Sequence, residues 1–539
     1  MIDPGSATGY AGGRRWLVVP EHDNPTYQWI EETQLMLARG DWRVRSVDYE
    51  NAPFGREVHS ASPYRWWLVL LAWLAHVASG RPLGLCVERA ALYADPLLHI
   101  GLLVAATIFV AWRFGPFCAA MFSVGLAAIF PLASAFLPGV ANDFGMEQVC
   151  TLWSVLLLVA GTLAGQRAQR WFLAGGVAGG CGLWLSAFGQ VPIIAGIAAG
   201  GILASLIGRG NRKERDASAG VPALAPWRAW ALGGAASSLL AYLVEYFPGH
   251  MGPQVRVNYP LYGLAWLGLG ELLWRFASWL RGERTFGGLR GLGMWIISAA
   301  AVASLPVALL RIGGRSSLTG DLLSARLTNL PNGVVADNLS AWMARGGPGG
   351  ALAATCLPLL LLAPAVWFLL GRRLGAEYRK AIAIALGPVL AALALSIGRL
   401  RWWNTFDMAL LALLVAATAA VHSTANPRIC SWLWSALLGA VVGFGIVQIV
   451  PAGGAGESGK FQLTRAEVEG LYERGSREPR SRAFTSAASP SGSRITQGPG
   501  ARPSWRRLCA RRACATTAGC AGSERRTGTT GTAFRRQST

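Results

Sequence analysis

The sequence predicts an all-α polytopic membrane protein, a bundle of about twelve transmembrane helices with long loops on one side. Three observations predict it. The 539 residues are 53% hydrophobic and 14% charged, whereas soluble domains carry about 25% charged residues. Apolar runs of about 17–22 residues recur, the length that crosses about 30 Å of hydrocarbon at 1.5 Å per residue. Lys and Arg are sorted between alternate connections, which fixes an orientation because cytoplasmic loops retain positive charge.

Residues 1–63 are polar and are expected outside the membrane. They carry "PEHDNPTYQWIEE" and then "DYENAPFGREVHSASPYRWW", with Asp23, Asp48, Glu50, Arg56 and His59. Segment 64–80, beginning "YRWWLVLLAWLAHVAS", is predicted to lie in the interface as an amphipathic helix, because Trp suits the headgroup layer. As a span, it would reverse the charge bias of everything after it.

Spans are predicted near 97–113, 117–137, 149–164, 171–187, 190–207, 229–246, 259–277, 292–310, 350–370, 381–397, 405–421 and 430–450. Arg113, Arg428 and the connections "GQRAQR", "GRGNRKERD", "RGERTFGGLRG" and "GRRLGAEYRK" hold most of the loop Lys and Arg, so that side is cytoplasmic. The other side holds 138–148, 188–190, 247–258, 311–349 and 398–404, where Trp402 and Trp403 read as headgroup anchors. Loop 311–349 has an amphipathic stretch and is expected to fold onto the outer face.

This topology puts both chain ends outside and implies a first transmembrane helix missing ahead of residue 1. Segment 451–539 is an external polar tail. After about residue 475 it becomes Arg, Ser, Thr, Gly and Ala with scattered Cys, a composition produced by a disordered tail or by a shifted reading frame. The net charge of +21 is explained by that tail and by topology, so no nucleic-acid partner is inferred. The nine Cys show no zinc-module spacing.

Polar chemistry gathers in three external places: the N-terminal segment, loop 138–148 with Asp143 and Glu147, and loop 311–349 with Asp337. Carboxylates from separate loops suit Mg²⁺ or Mn²⁺, or can take a proton from a nucleophile. Taken singly, each acid has the plainer reading of a solvated loop residue. Glu147 lies one turn beyond Asp143 on the same helix face. Arg56 and Arg256 are candidate phosphate partners, with headgroup snorkelling as the alternative.

An acid and a Tyr in the first external loop, then Gly40, Gly55, His59, Pro63 and a helix from Tyr64, then an acid after Pro138-Gly139, resemble the GT-C glycosyltransferases. The branch most alike is the catalytic subunit of oligosaccharyltransferase with its bacterial relatives. The resemblance implies a GT-C-like bundle over residues 20–450, a divalent metal, and transfer of a sugar or oligosaccharide from a polyprenyl-phosphate-linked donor to an external acceptor. It implies catalytic roles for Asp23 and Asp143, metal ligation by Asp23, Asp143, Glu147 and Asp337, and substrate contacts by Tyr27, Arg56, His59, Arg256 and Asn338. It places the chain in a bacterial-type inner membrane, with its active face external or periplasmic.

Two departures stand out. "VVAD", Val334 to Asp337, has Val and Asp where relatives carry Thr or Ser and Glu, and no Trp-Trp-Asp motif follows the last span. The acceptor, whether protein, lipid or glycan, is therefore open. A transporter or flippase of lipid-linked sugars is the alternative, and it expects ionisable groups inside spans. Glu245, Glu271 and Arg275 sit only near span ends. An inactive truncated relative is a further alternative.

Overall fold

The computed structural model describes residues 6, 24–48, 53–210, 225–249, 251, 257–282, 288–319, 339–340, 343, 355–371, 374–421 and 427–449. Loop 320–338, the tail beyond 449 and residues 7–23 lie outside the described set. Fourteen α-helices form among the described residues. Among the described residues the strands are a two-residue pair, β1 (Ser46–Val47) and β2 (Arg56–Glu57), antiparallel with Ser46 opposite Glu57.

The polar N-terminal segment folds as α1 (Asn24–Arg39) and α2 (Pro63–Ser79). Pro25 sits in the first turn of α1, where a missing N–H costs nothing. Gly80 ends α2 in the left-handed region at φ 64°, its N–H donating to the His76 carbonyl at 2.8 Å. The chain then turns into α3 (Leu83–Phe114), which packs along α2. Trp29, Ile30, Tyr64, Leu68, Val87 and Ala94 are among the buried side chains that bind α1, α2 and α3 into one small core.

Twelve helices, α3 to α14, overlap the twelve predicted spans in order. They continue as α4 (Pro116–Ala128), α5 (Phe144–Thr162), α6 (Ala168–Leu185), α7 (Ala187–Gly210), α8 (Trp227–Tyr246), α9 (Pro260–Leu280) and α10 (Gly288–Thr319). The last are α11 (Leu362–Leu370), α12 (Ala376–Gly398), α13 (Trp403–Val421) and α14 (Pro427–Ile449). Among the described residues, six stretches are long and apolar enough to cross a membrane: Leu83–Phe114, Phe144–Thr162, Ala187–Gly208, Leu289–Arg311, Ala376–Gly398 and Leu400–Val421.

Several boundaries differ from the sequence reading, and one of them is α11, which starts at Leu362 instead of 350 behind a 3₁₀ stretch, Leu357–Leu361. Helix α3 starts at Leu83 instead of 97, because nothing after Pro82 breaks it and Pro96 removes only one internal hydrogen bond. Helix α4 stops at Ala128 instead of 137, because Pro131 lacks the N–H a helix needs there and restricts Phe130. A short 3₁₀ turn, Leu132–Phe136, completes that passage.

Glycine sets how closely helices approach. A Cβ at Gly176 of α6 would overlap the Trp230 carbonyl of α8, and one at Gly233 would overlap the Leu173 carbonyl in return. Gly196 and Gly200 of α7 meet Gly387 and its neighbours in α12 the same way. Backbones in contact give membrane helices dispersion attraction that larger side chains would prevent.

Candidate functional site

The N-terminal segment is anchored by a buried ion pair. Glu32 of α1 and Arg65 of α2 are both fully buried, and Arg65 donates to Glu32 Oε2 from Nε at 3.1 Å and from Nη2 at 2.5 Å. Glu32 Oε1 accepts from Arg56 Nη2 at 2.8 Å and from Gln28 Nε2 at 2.9 Å. Arg65 also donates to the Ser60 and Ala61 carbonyls and lies 4.9 Å from the centre of the Trp29 ring. A buried pair holds only when its remaining donors and acceptors are satisfied, as they are here.

This unit is tied to the bundle at one end. Ser62, the residue before α2, donates from its backbone N–H at 3.1 Å and its hydroxyl at 2.7 Å to the buried Glu245 carboxylate at the end of α8. Trp184 Nε1 of α6 donates to the same carboxylate at 3.0 Å. Arg43 donates to the carbonyls of Val244, Glu245 and Phe247. Glu245 thus offers negative charge to the start of α2, a favourable place for it.

Asp143 sits immediately before α5, at the same end. Its side chain makes no capping bond. The local cap is Asn142, whose Oδ1 accepts from the Phe144 N–H at 2.9 Å. Asp143 is half-buried, and burial pushes its carboxyl up to about 6. A bond to its own backbone N–H and the Arg65 charge oppose that rise, while the Glu32 charge adds to it. Tyr64 donates its hydroxyl to Asp95 Oδ2 at 3.0 Å, and burial with the Asp95 and Asp143 charges drives the phenol far above its ordinary value. Asp95 also accepts from the Asn142 N–H at 3.3 Å.

Glu147, one turn into α5, is buried, with its carboxylate over Gly189 at the start of α7, where a Cβ would overlap Oε1. The Ser186 hydroxyl bonds to Glu147, and Arg401 and Asp143 are its charged neighbours. Arg401 is exposed and lies 4.5 Å from the centre of the Phe188 ring. Beneath this group, Gln148 donates to Thr405 Oγ1 at 3.1 Å.

The predicted external loops 138–148, 188–190 and 398–404 therefore meet at one end, together with residues 24–62. Predicted site residues fall differently within that frame. Asp143 and Glu147 are neighbours. Arg56 is spent on Glu32, and His59 stands 3.7 Å from Glu57. Tyr27 packs against the α1–α3 core, and burial raises its phenol. Asp23, Arg256, Asp337 and Asn338 lie outside the described residues.

Sequence reasoning missed Asp95, Arg401 and Asp407. Asp407 of α13 is fully buried and faces the Leu132 N–H without a hydrogen bond of normal geometry. A single acid inside the "TFDMALL" run was the available signal. The Trp402–Trp403 pair is a correction. Both rings are buried in protein, Trp402 5.3 Å from Phe188, so they anchor the loop and not the headgroup layer.

No group of three His, Cys, Asp or Glu able to hold an ion is present among the described residues. Asp143 and Glu147 are two neighbouring carboxylates, fewer than the three oxygen, nitrogen or sulfur side chains that such a group needs.

No family model and no curated protein sequence matches the chain. Solved structures do. The apo oligosaccharyltransferase of Archaeoglobus fulgidus matches over 82% of this chain and 54% of its own, at TM-score 0.54 and 15% identity. The archaeal oligosaccharyltransferase AglB of the same organism, in complex with an inhibitory peptide and a dolichol-phosphate, matches over 82% of this chain and 54% of its own, at TM-score 0.55 and 16% identity. A complex with Zn and sulfate matches over 82% and 51%, at TM-score 0.52 and 14% identity. The chain spans about half the length of these structures. At such identity the likeness is one of fold, and the chain has the GT-C fold that the archaeal oligosaccharyltransferase displays.

Proposed function

We propose that the chain is a membrane glycosyltransferase that moves a sugar or oligosaccharide from a polyprenyl-phosphate-linked donor to an acceptor at the external membrane surface. One observation carries this reading: Asp143 and Glu147 stand together, with Arg401 beside them, where the polar loops gather. The reaction forms a bond from the acceptor nucleophile to the sugar's anomeric carbon and breaks the bond from that carbon to phosphate. The bonding electrons leave on the phosphate oxygen.

Asp143, with its carboxyl near 6, is mostly ionised at pH 7 yet basic enough to take the nucleophile's proton. Arg401, exposed and stacked on Phe188, offers guanidinium N–H groups to the departing phosphate. Ser186 and Gly189 fix Glu147, through a hydroxyl bond and a surface with no side chain. Asp143 and Glu147, with Asp23 and Asp337 as the expected further ligands, would hold Mg²⁺ or Mn²⁺, which when bound supplies positive charge to the phosphate. In this reading α2 lies in the interface and the chain resides in a bacterial-type inner membrane with its site facing outward. The exposed stripe Leu70, Trp73, Leu74 and Val77 on α2 supports contact with lipid.

Asp407 favours one competing reading, a carrier of lipid-linked sugar, since buried membrane acids mark transport paths. Against it, Glu245 is used structurally, and Glu271 is bonded to Arg228 and Arg275. Membranes carrying the chain, supplied with a labelled polyprenyl-phosphate donor and an acceptor extract, test both. Label should move to the acceptor with wild type and not with inserted Asp143→Ala. Full transfer by Asp143→Ala, or donor translocation without any transfer, would sink the enzymatic reading.

A further inference from the structure

Arg113 lies 18 residues after Asp95 on α3, about 27 Å along the helix, and so marks the opposite end of the bundle. There Arg113, Phe114, Gly115, Pro116, Leu163, Tyr378 and Ala419 line a partly open cavity of about 420 Å³. Its lining comes from α3, the connection into α4, the end of α5, α12 and α13, so it is a product of tertiary packing and not of one loop.

The polar chemistry of the cavity is one-sided. Arg113 Nη2 donates to the Ala160 carbonyl at 3.3 Å, while Nε is buried and has no hydrogen-bond partner. Arg113 is one of the lining residues, so its guanidinium brings positive charge to the cavity, where an anionic oxygen is a favourable partner. Pro116 opens α4 here, so the positive end of that helix dipole adds to the same field. Tyr378 brings a hydroxyl, and no acid lines the cavity. The other lining side chains are apolar.

The surroundings indicate how the anion arrives. The Phe114 ring lies 6.4 Å from Phe109, which in turn touches Trp112, Trp153 and Trp171. Trp112 is 69% exposed, and Arg170 covers Trp171 at 5.0 Å. Exposed Trp beside Arg is what a helix bundle presents at headgroup depth. We propose that this cavity is a phosphate-binding site, remote from the Asp143 group, that seats the phosphate of an anionic phospholipid headgroup with Arg113 as its principal donor. The same chemistry would admit soluble phosphate, and the experiment separates the two sources.

Purified full-length protein is reconstituted in phosphatidylcholine nanodiscs with phosphatidylglycerol added in steps, and bound lipid is counted by native mass spectrometry. A parallel titration uses inorganic phosphate in phosphatidylcholine alone. Phosphatidylglycerol should bind, and Arg113→Gln should weaken it at least tenfold. Because Arg113 also bonds to the end of α5, a second variant keeps its charge: Ala419→Phe fills the cavity and should weaken binding as much. Arg170→Gln, a charge removed beside the cavity, should change it less than twofold. Arg113-dependent binding of inorganic phosphate alone would uphold the site and overturn the lipid as its occupant. Equal binding by wild type, Arg113→Gln and Ala419→Phe, or retention by Ala419→Phe, would overturn the proposal.

Discussion

Replacing Glu32 by Ala tests whether the N-terminal segment is held by its buried ion pair. Glu32 and Arg65 are both fully buried, and the carboxylate accepts from Arg65 twice, from Arg56 and from Gln28. Its loss leaves a guanidinium in a water-excluded place with only carbonyls, a hydroxyl and the Trp29 face as partners. Breaking such a pair from one side costs about 3–5 kcal/mol. Removing both charges, as in Glu32→Leu with Arg65→Met, is near neutral because no charge stays desolvated. Hydrogen exchange of peptides from 24–79 in detergent reads the difference. Protection should fall about a hundred- to several-thousand-fold in Glu32→Ala and return to within about tenfold of wild type in the double variant. A double variant less protected than Glu32→Ala would refute the reasoning, as would a single variant unchanged within threefold.

Other expectations follow from the same geometry. In chelator-treated protein, the Asp143 carboxyl is raised from 3.8 to about 6, so the folded state holds its proton longer than the unfolded chain. Wild type therefore loses stability as pH rises through that window, by up to about 3 kcal/mol, and Asp143→Asn should escape the loss. Melting curves should coincide near pH 3.5 and separate in the variant's favour by pH 6.5. Gly176→Val should abolish monodisperse protein on size-exclusion chromatography, because its branch meets the Trp230 carbonyl, whereas Gly293→Ala, with open space around it, should elute like wild type. Arg401→Gln should raise KM for a polyprenyl-phosphate donor about tenfold or more, as expected for a lost charged hydrogen bond, and an unchanged KM would remove Arg401 from the phosphate's reach.

The helices were legible because span length and hydropathy are one-dimensional properties, and no competing pattern stood between residues 97 and 450. Their ends were less so. Pro131 shortened α4 by local sterics that a hydropathy window averages away, and α3 ran back to Leu83 through residues whose polarity hid a helix. Within the site, Asp143 and Glu147 showed as two acids one turn apart in an outer loop. Asp95 did not show, because its meaning depends on Tyr64, 31 residues earlier in the chain. Arg56 read as a candidate phosphate partner for the converse reason, since only packing shows that it bonds to Glu32. Trp402 and Trp403 looked like headgroup anchors because sequence carries the depth of a ring and not what stands beside it.

The glycine seams between α6 and α8 and between α7 and α12 bear on how the bundle moves. Two helices in backbone contact cannot roll against each other, since rotation would drive the flanking side chains into a neighbouring backbone. The start of α7, where Gly189 supports Glu147, is thereby stiffly coupled to α12, whose far end leads to Arg401. Rocking of one half against the other, as a carrier needs, would have to break these seams. Helix α10 has the least buried of the long apolar windows, at 11%, and is still held to α9 where Gly268 meets the Ser298 carbonyl. The molecule is thus braced by helices whose backbones touch, and the spacing of its acids and bases is set by those seams.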